Sequence, residues 1–248
     1  MDWIATLRLE LATALAFLTR LPVRLEAPLA LVAASRGFPL AGALVGGIAA
    51  AVLASAHLAG LPPLVAALLA VGAGVVVTGG LHEDGLADSA DGLFSGRSRE
   101  RILEIFRDSR IGTFGALALI LTVGLRAAAL STLVDDGAAV LIAVHALARG
   151  WLPWLMRNDM PARADGLAAE AGKPTTEATL WAAGLGFAVA VVALGPWVAI
   201  LAAAVSAASA LGVAALARRR LGGYTGDTLG AAEQMAEIGA LLALSTLL

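Results

Sequence analysis

The sequence predicts an all-α membrane protein, a polytopic helical bundle of about six to seven transmembrane helices plus an N-terminal interfacial helix. Of its 248 residues, 59% are hydrophobic and only 15% are charged, and the mean hydropathy is +0.86. An ordinary soluble domain has about 25% charged residues. Apolar runs of about 17 to 25 residues, the length that crosses a bilayer, recur along the chain. We therefore expect one integral membrane domain over residues 1–248.

The first segment, 1–21, carries Arg8 and Glu10 in an otherwise apolar pattern. This pattern is typical of a helix that lies in the membrane interface. Seven candidate spans follow, at 38–58, 62–81, 112–134, 137–156, 178–194, 197–217 and 231–248. In the first of them, Gly42 and Gly46 form a stripe of small residues that predicts close helix packing.

Basic residues alternate between the loops and so predict the orientation of the chain. They cluster before the first span, at 97–110, at 157–173 and at 218–220, whereas the other connections contain neither Lys nor Arg. Loops rich in Lys and Arg lie in the cytoplasm. We expect residues 1–37 to be cytoplasmic or interfacial, and two polar segments, 82–111 and 218–230, to form cytoplasmic site loops.

Composition also excludes several classes of chemistry. The chain has no cysteine, which removes disulfides, thiolate zinc sites and a cysteine nucleophile. The only lysine, Lys173, lies in AGKP without the glycine spacing of a phosphate-binding Walker loop, and there is no GxGxxG dinucleotide motif. Oxygen ligands and three histidines remain for any metal, and nothing predicts a nucleic-acid partner.

The densest polar stretch, TGGLHEDGLADSADGLFSGRSRERILEIFRDSRIGTFG, covers residues 78–115. In a helix Asp84, Asp88 and Asp91 share one face within about 60°. These carboxylates repel one another unless a cation binds between them. Mg²⁺ prefers oxygen ligands and is usually held by one or two carboxylates plus substrate phosphate. The pattern therefore predicts a Mg²⁺ site, with Glu83 pointing away from it.

Charged residues near this face are candidate substrate contacts. Arg107 and Arg110 flank Asp108 just before a span, and arginine side chains bind phosphate oxygens bidentately. His82 is a candidate base or phosphate contact, although a lone histidine at a helix end is more often a hydrogen-bonded cap.

A second polar segment, GGYTGDTLGAAEQMAE, covers residues 222–237. Its glycines allow the backbone to approach a ligand closely. Asp227 followed by Thr228 is expected to cap the last helix, and Glu233 and Glu237 share one face of that helix. Capping and snorkelling explain these three acids as well as substrate binding does.

Six motifs together resemble the cobalamin synthase family, the adenosylcobinamide-GDP ribazoletransferases. They are FLTRLPV at 17–23, FPLAG at 38–42, TGGLHEDGLADSADGLFSG at 78–96, DSRIGTFG at 108–115, ARADGL at 162–167 and TGDTLGAAEQMAE at 225–237. The long acidic motif and DSRIGTFG carry most of the specificity, and the resemblance covers nearly the whole chain.

The resemblance implies a Mg²⁺-dependent multi-pass enzyme of the bacterial cytoplasmic (inner) membrane, with its active site facing the cytoplasm. It would join adenosylcobinamide-GDP to α-ribazole or its 5′-phosphate and release GMP. Candidate partners would be these small molecules, membrane lipid, and further copies of the chain or enzymes of the same pathway. The implied metal ligands are Asp84, Asp88 and Asp91, the implied bases are Asp91 or Asp108, and the implied substrate contacts are His82, Arg107, Arg110, Thr225, Asp227 and Glu233.

Two alternatives stay open at this point. DGLADSAD partly resembles the DGxxAR core of CDP-alcohol phosphotransferases, lipid enzymes that cleave a similar pyrophosphate, but Asp88 stands where that core has arginine. A transporter is suggested by the seven apolar spans and would need polar residues near their middle. Arg126, His145 and Arg149 are the exceptions in a sequence that otherwise keeps its charges at the cytoplasmic ends.

Overall fold

The computed structural model describes residues 3–25 and 30–248, and these form helices joined by short connections without a β-strand. A 3-10 helix, Ala33–Gly37, precedes α2. The α-helices are α1 Trp3–Leu18, α2 Phe38–Leu58, α3 Pro63–Thr78, α4 Leu81–Leu93, α5 Arg99–Ile105, α6 Thr113–Ser131, α7 Gly137–Asn158, α8 Leu167–Glu170, α9 Thr176–Leu194, α10 Pro196–Leu221 and α11 Gly226–Leu244. The predicted all-α bundle is confirmed.

Within the described residues, five helices are long and apolar enough to cross a membrane: α2 with its 3-10 turn, α6, α7, α9 and α10. The predicted span 62–81 is shorter than expected. It ends at Gly79 and Gly80, whose positive φ values of 68° and 69° suit glycine. There the chain bends by 93° into α4. Counting this bent pair as one span gives six.

The predicted seventh span, 231–248, overlaps the last helix, α11, which both begins and ends earlier in the chain. α11 begins at Gly226, includes Asp227, Glu233 and Glu237, and is not among the five helices. It packs against α4, α6, α7 and α10, and both of its glutamates are buried. α11 is therefore the central helix of the bundle, where its acids find partners on its neighbours.

The N-terminal helix packs on the bundle as well. Ala14 and Leu18 of α1 contact Phe38, Ala41 and Leu152. Glu10, which is buried, pairs with Arg36 of the 3-10 helix. The predicted interfacial segment also includes residues 1–2, and the predicted region 1–37 includes 26–29, all of which lie outside the described residues.

Close glycine contacts hold two helix pairs together. A side chain at Gly42 or Gly46 of α2 would collide with the backbone of α7 at His145 or Leu141, which confirms the predicted close packing. On the other side of the bundle, a Cβ at Gly85 of α4 would lie 2.7 Å from the carbonyl oxygen of Asp227 in α11. This second contact places the two acidic segments of the sequence side by side.

Candidate active site

The acidic face of α4 meets the start of α11. Asp84 is exposed and Asp88 is half-buried, and Asp88 interacts electrostatically with Asp227 more strongly than with Asp84. Among the residues that the structure describes, neither Asp84 nor Asp88 has a side-chain hydrogen bond or an ion pair. Three carboxylates from two helices thus lie together, and Asp84 and Asp88 have no cationic partner among the described residues.

Asp91, the third predicted metal ligand and a predicted base, has another role. Its Oδ2 accepts a hydrogen bond from the backbone N–H of Gly112 at 2.7 Å, and its Oδ1 accepts one from Gly115 at 2.9 Å. These amides belong to the first turn of α6, which has no side-chain cap of its own. A carboxylate is stabilised there by unpaired N–H groups and by the helix dipole. Asp91 therefore anchors α6 to α4, and we propose this structural role for it in place of the predicted roles as metal ligand and base.

An open cleft of about 670 Å³ adjoins the acidic face. Asp84 and Asp88 line it on one side, and Arg20 and Arg107 contribute basic side chains to the same cleft. Carboxylates for a metal and guanidinium groups for phosphate oxygens are thus present in one space. Arg107 also pairs with Asp165, and both side chains are largely exposed. The prediction for Arg107 is consistent with this position.

Asp108 lines the cleft but is a poor base. Its carboxylate accepts hydrogen bonds from both Nε and Nη2 of Arg110. The side-chain hydrogen bond with Arg110, followed by the Arg110 backbone N–H, lowers the pKa of Asp108 to about 2. A general base works best when its pKa is near the operating pH. This geometry argues against the predicted role of Asp108 as a base, and Arg110 binds Asp108 and is not among the residues that line the cleft.

The start of α11 differs from the predicted cap. Thr225 is the N-cap, and its hydroxyl and that of Thr228 form a reciprocal capping box. Thr225 is buried and its hydroxyl takes part in this cap, so we propose a structural role for it in place of the predicted substrate contact. Asp227 is not the cap and accepts a hydrogen bond from the Thr225 hydroxyl. Burial raises the pKa of the Asp227 carboxyl, the Thr225 hydrogen bond and Arg163 oppose this, and Asp84 adds to it.

His82 is placed at a second, smaller cavity of about 190 Å³, which it lines together with Asp84 and Asp227. Asp84 lines both cavities. The two spaces are therefore neighbours, separated by the acidic residues of α4 and α11.

Behind His82, a network of buried charges joins α4, α6, α7 and α11. Arg126 of α6 binds Glu83 at 3.0 Å, Gln234 at 2.9 Å and Glu237 at 2.8 Å. Arg149 of α7 binds Glu233 at 2.6 Å and Glu237 at 2.8 Å. Glu83, which was predicted to point away from the acidic face, is paired with Arg126 but is also among the residues that line the open cleft. Removing one partner of such a buried pair usually costs about 3 to 5 kcal/mol.

Glu233, predicted to contact substrate, is fully buried in this network. It belongs with His145 and Glu237 to the one group in the described part of the chain whose three ligand atoms lie within 4.8 Å of one another. Arg149 Nη1, however, lies 3.0 Å from His145 Nδ1 as well as close to both glutamates. The guanidinium already supplies the cation at this place. We therefore assign Glu233 to the support of α4 and α11 and not to a metal or a substrate.

Sequence reasoning missed two kinds of residue. Arg20 enters the cleft because its backbone N–H binds the carbonyl of Val77 at 2.7 Å, and a side chain at Gly79 would collide with its guanidinium. Its only sequence signal is its place in FLTRLPV. Arg163 acts on Asp227 and lies in ARADGL. The charged positions inside the spans were visible in the sequence, but their pairing was not.

The fold and the site define a class of protein: a polytopic membrane enzyme with carboxylates and arginines around an open cleft, suited to the transfer of phosphorus-containing groups. The model of the family described as Cobalamin-5-phosphate synthase matches residues 10–245 of the chain. The chain belongs to this family.

Relatives with full-length similarity support the same placement. The adenosylcobinamide-GDP ribazoletransferase of Bradyrhizobium diazoefficiens is 46% identical over 238 residues, which cover 94% of this chain and 92% of the relative. The protein of the same name from Rhizobium etli is 46% identical, covering 96% and 97%, and that from Rhizobium johnstonii is 48% identical, covering 86% and 85%. No solved structure matches the chain.

Proposed function

We propose that this protein is an adenosylcobinamide-GDP ribazoletransferase, which joins adenosylcobinamide-GDP to α-ribazole or its 5′-phosphate, releases GMP and forms adenosylcobalamin or its 5′-phosphate. The observation that carries the proposal is the cleft in which the unpaired acids Asp84 and Asp88 meet Arg20 and Arg107. The family and the names of its full-length relatives supply the substrates.

The residues of the cleft fit a bound Mg²⁺ ion. Asp84 and Asp88 lie one helical turn apart on α4, and the described part of the chain gives them no partner of opposite charge. Two carboxylates plus substrate phosphate are the usual protein ligands of Mg²⁺. When bound, Mg²⁺ would neutralise the pyrophosphate oxygens during displacement. Asp91 is not part of this set, because the backbone of α6 holds both of its oxygens.

The protein's own groups position the reactants. Arg20 and Arg107 would bind the oxygens of the pyrophosphate, with Arg107 released from its exposed pair with Asp165. A free ribose hydroxyl of the acceptor attacks the phosphorus on the cobinamide side, and the bond from that phosphorus to the bridging oxygen breaks. In α-ribazole 5′-phosphate the 5′-oxygen already carries the phosphate that the product keeps, so the attacking group is a ribose hydroxyl other than the 5′-hydroxyl. GMP leaves with the bridging oxygen.

Asp227 is the side chain that we assign to take the hydroxyl proton. Burial raises its pKa, which brings the carboxylate nearer to the range in which a base is effective. It interacts electrostatically with Asp88 of the cleft and lines the smaller cavity, so it lies next to the place where the acceptor would meet the pyrophosphate. The two bases predicted from the sequence are less suitable, because Asp91 accepts two backbone hydrogen bonds and Asp108 is held by Arg110.

The structure has several helices that can span a membrane, so the protein is a multi-pass membrane protein. We further propose that it lies in the bacterial cytoplasmic membrane with the cleft on the cytoplasmic side. The support is the excess of arginine in the segments that carry the cleft, including 97–110. Phosphorylated substrates would reach the cleft from the cytoplasm.

The transporter alternative is less well supported. Arg126, His145 and Arg149 are the polar residues inside the spans that such a role would need, but each is buried and bound to glutamates of α11. Paired charges of this kind hold the bundle together. They do not line a path for a solute.

Product analysis tests the proposed function. Membranes that contain the protein are incubated with adenosylcobinamide-GDP and α-ribazole, and GMP and the cobalamin product are quantified by chromatography. We expect one GMP for each cobalamin formed, and neither product when α-ribazole is omitted. Corrinoid uptake into sealed vesicles without covalent change, or turnover of CDP-linked lipids alone, would contradict the proposal.

A further inference from the structure

The smaller cavity beside Asp227 has two chemically different ends. Its wall is formed by apolar side chains of α1, α2 and α7, among them Phe17, Leu18, Phe38, Leu152 and Met156. Phe17 and Phe38 are stacked, with ring centroids 6.3 Å apart and an angle of 17° between the rings. The opposite end carries His82, Asp84 and Asp227. A ligand that fits this space has a flat apolar body and one polar group at the acidic end.

We propose that this cavity binds the bicyclic aromatic base of the acceptor nucleoside, so that the ribose hydroxyl points to Asp227. The inference rests on the proposed function and names the part of the site that takes α-ribazole. The base of α-ribazole, a methylated benzimidazole, is flat and apolar, and its ribose supplies the polar end. Aromatic walls suit such a ring because offset stacking adds to the burial of apolar area.

Size and polarity exclude the other large groups of the substrates. A cavity of about 150 Å³ lined by apolar side chains holds benzene, so about 190 Å³ suits a fused bicycle but not a corrin macrocycle. Guanine is similar in size, but it has hydrogen-bonding groups on both edges of the ring, and those turned away from the acidic end would be buried without partners at a cost in free energy. The walls at Leu152 and Met156 offer no such partners. The cavity therefore distinguishes the acceptor from both halves of the donor.

The position of the cavity relative to the cleft supports the same assignment. Leu81 and Asp84 line both spaces, so a nucleoside in the cavity has its sugar next to a pyrophosphate in the cleft. An attacking group and a phosphorus held on two sides of one acidic residue need little further movement to react.

The short helix α8 offers a matched pair of substitutions. Ala168 lines the cavity, whereas Ala169, next to it in the same helix, does not. Both are half-buried, so phenylalanine at either position should change the free energy of unfolding by a similar amount. We expect Ala168→Phe to raise the KM for α-ribazole at least about 10-fold, because filling a hydrophobic pocket has effects of that order. The KM for adenosylcobinamide-GDP should stay unchanged, and Ala169→Phe should behave as the unmodified protein.

A second substitution and a direct probe keep the test decisive. Ala171→Phe fills the same cavity from the connection after α8 and should repeat the effect of Ala168→Phe. The free base of α-ribazole should inhibit competitively against α-ribazole and non-competitively against the donor. Equal KM changes for both substrates, no change in either filling variant, or competition of the base with the donor would overturn the proposal.

Failure of the proposed function has a different signature. If the unmodified protein forms no cobalamin from either acceptor, the binding of the free base to purified protein is measured by equilibrium dialysis. Binding that Ala168→Phe abolishes and Ala169→Phe keeps would support the cavity while the reaction is revised. No binding, with a lipid acyl chain recovered from the purified protein instead, would overturn the cavity assignment.

Discussion

The substitution Arg149→Met tests whether the buried network holds α4 and α11 in place. Arg149 is 1% exposed, and its guanidinium contacts Glu233 and Glu237. After its loss Glu237 keeps Arg126 at 2.8 Å and His145 at 2.6 Å. Among the described residues, Glu233 keeps only Gln234 at 3.0 Å and His82 at 3.4 Å. One buried carboxylate is thus left without a cation, and we expect a loss of about 3 to 5 kcal/mol in the free energy of unfolding.

The measurement is SDS-driven unfolding of the purified protein in micelles, followed by far-ultraviolet circular dichroism. Arg101→Met is the matched control, since Arg101 pairs with Glu104 at the surface, with 63% and 61% of the two side chains exposed. Such a pair contributes about 0 to 1 kcal/mol. Adding Glu233→Gln to Arg149→Met removes the unpaired charge and should restore part of the loss, with a coupling of about 0.5 to 3 kcal/mol. Equal effects of Arg149→Met and Arg101→Met, or simple additivity in the double variant, would refute the reasoning.

Three further predictions concern the positions of the acids. Gly85→Ala should lower turnover about 100-fold, because a Cβ 2.7 Å from the Asp227 carbonyl oxygen forces α4 and α11 apart. Small displacements of reacting groups have effects of that size. Gly124→Ala is the control: Gly124 has open space around it, so turnover should be unchanged. Asp91→Asn should lower the free energy of unfolding by about 0.5 to 2 kcal/mol, the usual effect of losing a helix cap, and SDS titration will show whether it does. The pKa of Asp108 is lowered to about 2 in the folded protein. Its carboxylate is therefore fully ionised above the ordinary pKa near 4, and it becomes protonated only as the pH falls through about 2. Asp108→Asn should therefore leave the shape of the turnover profile between pH 5 and 9 unaltered, and a new inflection there would contradict the assignment.

Much of the fold was predictable because apolar length alone identifies a helix that can cross a bilayer. The two places where the prediction failed had local signals of another kind. Gly79 and Gly80 break the run at 62–81, and both adopt the left-handed conformation. Asp227, Glu233 and Glu237 make the last helix too acidic to resemble the five spans.

The site was predictable in part. Helical periodicity placed Asp84 and Asp88 on one face, and the structure turns both toward the cleft. It did not show that the amides of Gly112 and Gly115, 21 and 24 residues further on, bind Asp91. The partners of Arg126 are 43 and 108 residues distant. Contacts between residues so far apart in the sequence depend on how the helices pack against one another. The spacing of residues within one helix does not predict that packing.

The central claim is that Asp84 and Asp88 of α4, and not Asp91, bind the Mg²⁺ ion of a transferase. The most direct test is the rate of GMP release from adenosylcobinamide-GDP and α-ribazole, measured against Mg²⁺ concentration for the unmodified protein, Asp88→Asn and Asp91→Asn. We predict that release requires Mg²⁺, that Asp88→Asn needs a far higher concentration or is inactive, and that Asp91→Asn keeps the original requirement. Release without Mg²⁺, or a shifted requirement in Asp91→Asn but not in Asp88→Asn, would contradict this account.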